Sequence, residues 1–204
     1  MNTADIKFAE HVVLLDVAFL KGMVRGVRQV MARKLGRELP PLDLVEWITC
    51  LLLDAGVRGG GNEVQVLLVQ AGKQGGELDG CLPAALDALD GQACATPLGE
   101  CSFTVVTDEG LAAGTHLFFD LMTLLLNDSS LKTLLLVPSA EQPDEEVDNV
   151  MVQVRKDMGE EAGKALSRTH WFRLTPPQGA LPCQWCPVVW SLAHVLGIRE
   201  DELK

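Results

Sequence analysis

The residues His11-Val-Val-Leu-Leu-Asp16 constrain the fold more than any other stretch of this chain. An apolar run of this length, closed by a carboxylate, has no polar face to offer to water. A strand buried on both faces reads this way, and strands inside parallel sheets are buried on both faces. Thr133 to Val137 repeats the pattern and ends at Pro138-Ser139. Residues 63–69, 101–106 and 170–174 read as three further strands.

Helical patterns separate most of these runs. Met23, Val27, Val30, Met31 and Leu35 recur at helical spacing over 22–35, and Gly36 stops that helix. Pro40-Pro41 is read as opening a second helix, to about residue 55, because a first helical turn tolerates proline. Residues 113–126, 144–166 and 187–197 read as helices, the middle one interrupted near Gly159. Residues 71–99 are rich in Gly, Ala, Asp and Pro and read as a surface excursion, with a short helix over 82–89. Strands separated by helices imply parallel pairing and right-handed crossovers. The expectation is one α/β domain over 1–204, with an open, mostly parallel, five-stranded, Rossmann-like sheet and helices on both faces.

Hydrophobic residues make up 48% and charged residues 22% of the chain, a globular balance that argues against disorder. No apolar run reaches the ~20 residues that span a bilayer. Asp5, Glu10 and Asp16 interrupt the N-terminal apolar stretch, which is unlike a signal peptide. A cytoplasmic protein with no membrane partner is expected.

The net charge is -11, which repels phosphate backbones overall. Lys21, Arg25, Arg28, Arg33, Lys34 and Arg37 nevertheless form a basic segment over 21–37 with no acid in it. Without those six cations the rest of the chain carries -17. The segment reads as a solvated helix face or as a docking patch for RNA or an acidic partner.

In an open parallel sheet, ligands bind at the carboxyl ends of the strands where the strand order reverses. That rule selects Asp16 at the end of the first strand, and Ser139, Glu141 and Asp144 after the fourth. Asp120 lies on the helix just before the fourth strand. Carboxylates gathered there repel one another unless a cation such as Mg²⁺ or Mn²⁺ sits among them. Such a cation activates water and stabilises a phosphodiester transition state. The acids from Glu141 to Glu146 would equally favour a helix N-terminus.

The order of elements resembles the PIN-like nucleases, and their NYN branch in particular. Three patterns carry the resemblance: Val12-Val-Leu-Leu-Asp16, Leu117-Phe-Phe-Asp120 and Leu135-Leu-Val-Pro-Ser139-Ala-Glu141. It spans roughly residues 11–175. It implies a metal-dependent ribonuclease or phosphodiesterase, with Asp16, Asp120 and Glu141 as Mg²⁺ or Mn²⁺ ligands and Asp144 auxiliary. It also implies that the basic helix steers RNA. Phe19 stands where the family commonly has Asn, and Ala140 and Glu141 replace its Gly and Asp. A carboxylate displaced by ~1 Å costs about 100-fold in rate. The alternative is therefore a catalytically inactive interaction or scaffold protein, oligomeric or bound to a protein partner. Phe118, Phe119, Leu124 and Leu125 would then supply an apolar face.

Cys183-Gln-Trp-Cys186 precedes the last helix and is read as a tight turn, or as a reactive or metal-binding pair that Cys94 and Cys101 could complete. Gly59-Gly-Gly-Asn62 precedes a strand, and is read as a turn at the amino edge.

Overall fold

The computed structural model describes residues 7–72, 75–107, 114–139, 144–177 and 182–203. Its main sheet has seven strands: β1 (His11–Asp16), β3 (Asn62–Gln70), β5 (Ala93–Thr96), β6 (Gly99–Thr107), β7 (Thr133–Val137), β8 (Thr169–Arg173) and β9 (Gln184–Pro187). The order is β5-β6-β3-β1-β7-β8-β9, with all neighbours parallel except the antiparallel β5–β6 pair. β2 (Leu42–Asp43) and β4 (Cys81–Leu82) form a separate two-stranded pair.

All five expected strands are present and adjacent, but the sheet is wider than expected by one strand at each edge. β5, Ala-Cys-Ala-Thr, is short and half-exposed, so its composition resembles that of the excursion around it. β9 takes up Gln184 to Cys186 of the motif read as a turn, with Cys183 just ahead of it. Within 82–89 the expected helix shrinks to a 3-10 turn at Leu86–Ala88, and Leu82 ends β4.

Burial on both faces follows from the strand sequences. Val13 and Leu15 of β1 pack on one side with α1 (Val17–Phe19), α2 (Arg25–Leu35), α3 (Leu44–Asp54) and α7 (Val189–Val195). Val12 and Leu14 pack on the other with α4 (Gly114–Asn127), α5 (Asp144–Met158) and α6 (Ala162–Ser167). Burying a side chain of this size contributes about 1.5–3 kcal/mol, which makes the central strands the anchor of the fold.

Local signals set the helix ends. A π-helical turn, Leu20–Val24, joins α1 to α2, and Gly36 ends α2 in the left-handed region at φ 63. α3 starts at Leu44, beyond Pro40-Pro41, because the Asp43 carboxylate accepts from the Glu46 N–H at 3.0 Å and caps it there. The break expected near Gly159 is a 3-10 turn, Gly159–Glu161, between α5 and α6. Trp47 of α3 stacks on Phe19 at 5.9 Å and donates to Ser191 Oγ of α7 at 3.1 Å, tying three helices together. The Asn62 amide donates to the carbonyls of Arg58, Gly59 and Leu98, so the glycine run is a turn at the amino edge.

Candidate functional site

From β1 the chain moves through β3 to β6 on one side, then crosses to β7 and β8 on the other. β1 and β7 are thus adjacent and flank the point where the order reverses. Leu15 is in register with Val137, so Asp16 and Pro138-Ser139 leave the sheet at one edge. No long-range sequence signal fixes that neighbour relation; it follows from the crossover.

The Asp16 carboxylate accepts from the Ala18 N–H at 2.8 Å and caps α1. Asp120 is exposed on α4, between buried Phe118 and Met122. It lies about 9 Å along the axis from the first residue of that helix. Glu141 lies outside the described residues, and Asp144 opens α5 with its side chain outside them. Among the described residues no group of three His, Cys, Asp or Glu side chains is arranged to hold a metal ion.

Two adjoining cavities open at this edge and share Phe19, Met23 and Ser139. The smaller, of about 240 Å³, lies over the ends of β7 and β8 and is lined by Trp171, Arg173 and Thr175. The Arg173 guanidinium stacks 4.8 Å from the centre of the Trp171 ring. Trp171 is 1% exposed, and its indole Nε1–H meets no acceptor among the described residues. A buried donor left without an acceptor costs about 1–3 kcal/mol, and the residue that carries it lines this cavity. Arg173 and Trp171 were not singled out from sequence. The strand-end rule could have found Arg173, the last cation of the fifth expected strand.

The larger cavity, of about 520 Å³, is an apolar groove between α1–α2 and α7. Its walls include Val27, Val30 and Met31 on one side, and Val189, Ala193 and Ile198 on the other.

The six cations of residues 21–37 do not form one free patch. Arg28 donates to the carbonyls of Leu39 and Pro40, and Arg37 holds Glu202 and the Gly197 carbonyl. The pairing with Arg37 depresses the Glu202 carboxyl to about 2. Arg25 sits 3.9 Å from Asp79, with both side chains mostly exposed. Arg33 and Lys34 are exposed on α2.

The cysteines divide between the two sides of the sheet. Cys183 packs with the α4–α6 side and Cys186 with the other, so this pair faces apart across β9. Burial pushes the Cys183 thiol up to about 12 and the Cys186 thiol to about 11. His170 Nδ1 lies 3.7 Å from Cys186 Sγ, and burial holds that imidazole below its ordinary range. Both groups are thus kept neutral. Cys94 and Cys101 face each other across β5–β6. Five strand spacings separate β6 from β9, about 24 Å, so the two cysteine pairs cannot share a zinc ion.

A model of the "Family of unknown function (DUF6621)" matches residues 5–203, nearly the whole chain. The chain belongs to DUF6621. No curated protein and no solved structure matches this DUF6621 chain. No helix among its described residues is long and apolar enough to cross a membrane.

Proposed function

We propose that this DUF6621 chain is a Rossmann-like, PIN/NYN-like binding domain that holds a phosphate-bearing ligand of nucleotide size without cleaving it. The ligand sits in the cavity over β7 and β8. One observation carries the reading: a buried indole N–H with no acceptor among the described residues lies beneath an arginine at the carboxyl edge, next to the strand-order reversal. An arginine fork suits phosphate oxygens, and the orphaned donor supplies a second directed hydrogen bond. The aromatic wall of Phe19 and Trp171 suits a flat, partly apolar body. Binding is favoured over cleavage because one Asp16 oxygen already caps α1 and Asp120 faces solvent on α4.

The second reading is the Mg²⁺- or Mn²⁺-dependent ribonuclease or phosphodiesterase, with Asp16, Asp120 and Glu141 as metal ligands and Asp144 auxiliary. The observation that favours it is the parallel register of Leu15 with Val137, which ends β1 and β7 at a common edge.

Titration of the protein with inorganic phosphate, a nucleoside monophosphate and a short single-stranded RNA tests both. Binding is read by tryptophan emission, and RNA integrity is followed with Mn²⁺ present. Saturable binding that Arg173→Ala abolishes, with the RNA left intact, supports the binding domain. The arms distinguish a free nucleotide from an RNA strand. Mn²⁺-dependent cleavage lost in Asp16→Asn supports the nuclease instead, and no binding of any probe overturns the first reading.

A further inference from the structure

The apolar groove between α1–α2 and α7 is a second surface, which adjoins the cavity that holds Arg173 and shares Phe19, Met23 and Ser139 with it. Its walls are apolar apart from Ser139, and Trp190, beside wall residue Val189, is 58% exposed. Along one wall, Ala18, Gly22, Gly26 and Val30 recur every fourth position and all are exposed. A Cβ added to Gly22 or Gly26 would meet nothing within 4 Å, so the packing of this chain does not require glycine there. A glycine inside a helix costs about 1 kcal/mol relative to alanine. Two of them on an open face keep the groove floor low instead.

Beside this row runs a second exposed row, Arg25, Gln29 and Arg33, with Lys34 next to it. No acid lies between Val17 and Leu35, while the chain outside the basic segment carries -17. Arg28 and Arg37 are held by their own fold, Arg25 has only a loose contact with Asp79, and Arg33 and Lys34 make no ion pair among the described residues. The groove therefore combines an apolar trough with a cationic rim on one side.

We propose that this groove docks an acidic amphipathic α-helix of a partner protein. Small and aliphatic residues of that helix fill the trough, and carboxylates on its flank meet Arg25 and Arg33. Those two arginines are two helical turns apart, about 12 Å, so the partner carries acids two turns apart. A second copy of this chain fits less well. A two-fold contact through this face opposes two cationic rims, and a contact with any other face of the same chain is heterologous and gives up two-fold closure. Single-stranded RNA fits less well too, since it calls for stacked aromatic platforms along a basic track. The inference does not depend on the reading of the Arg173 cavity.

The test uses the full chain and a fluorescein-labelled helical peptide of about 16 residues, built from Ala and Leu with Glu two turns apart. A Lys-for-Glu counterpart and a single-stranded RNA of similar length serve as the other probes. Anisotropy is expected to show saturable, salt-sensitive binding of the Glu peptide and none of the Lys peptide. Gly26→Leu, which fills the trough, and Arg33→Glu, which reverses the rim, are each expected to weaken binding about tenfold or more. Both positions are exposed, and thermal unfolding no lower than that of the wild type checks their fold. The proposal is overturned by any of four results: no saturable binding of the Glu peptide, binding indifferent to Gly26→Leu, RNA that competes with the peptide, or self-association that Gly26→Leu abolishes.

Discussion

The guanidinium of Arg173 lies 4.8 Å over the ring of Trp171, whose own N–H is buried without an acceptor among the described residues. The two residues lie two positions apart on one face of β8, and both line the same cavity. Replacing the cation by an apolar side chain of similar reach removes the cation–π contact, worth about 0.5–2 kcal/mol. Arg173→Leu is expected to lower the unfolding free energy by that amount, read from the urea midpoint and slope, and to change Trp171 emission. Equilibrium unfolding followed by fluorescence checks it, with Trp171→Phe as the control for signal assignment.

Asp16 tests cap against metal ligand. As the N-cap of α1 it accepts from the Ala18 N–H at 2.8 Å. Loss of a cap costs about 0.5–2 kcal/mol, whereas asparagine caps nearly as well as aspartate. Asp16→Ala is therefore expected to destabilise the protein by that amount and Asp16→Asn to leave it almost unchanged. If Mn²⁺ raises the melting temperature of the wild type but not of Asp16→Asn, the carboxylate has a role beyond capping.

β1 and β7 were legible because each is an apolar run too uniform to be anything but buried, and β3, β6 and β8 because short runs of Val, Leu, Phe or Trp stand between helical patterns and loops. The edge strands were not. β5 carries small, half-exposed residues, and β9 carries Cys186 and Pro187 beside Pro182 and Cys183, a composition that imitates a turn. Asp16 and Ser139 could be named from the strand-end rule, but the orphaned Trp171 Nε1 could not. Its isolation depends on what packs around the ring in three dimensions. The basic segment misled as a unit, since Arg28 and Arg37 are consumed by local carbonyls and by Glu202.

Burial holds both His11 and His170 below the ordinary value of 6.5. The unfolded chain takes up these protons first as pH falls, so it binds more protons than the folded state between the two values. The stability from keeping these rings neutral is fully present above 6.5 and is lost as pH falls through their depressed folded values. The urea midpoint is expected to drop from about pH 7.5 to about pH 5.5, and less steeply in His170→Gln. The Arg37–Glu202 pair acts in a lower window, because Glu202 stays charged until pH approaches about 2.

Trp47 joins α3 to α7 through its 3.1 Å bond to Ser191 Oγ. Trp47→Phe keeps an aromatic ring against Phe19 but removes that donor inside the core. A loss of about 1–3 kcal/mol is expected, read as a shift in the denaturation midpoint without a change in slope.

The measurement that bears most directly on the account is the indole region of a ¹H–¹⁵N correlation spectrum during titration with phosphate and a nucleoside monophosphate. The Trp171 Nε1–H peak, assigned by its absence in Trp171→Phe, is expected to move downfield and saturate as the donor gains a phosphate oxygen, and to stay still in Arg173→Ala. A Trp171 peak that does not move while ligand binds, or no binding at all, would contradict the assignment of this cavity.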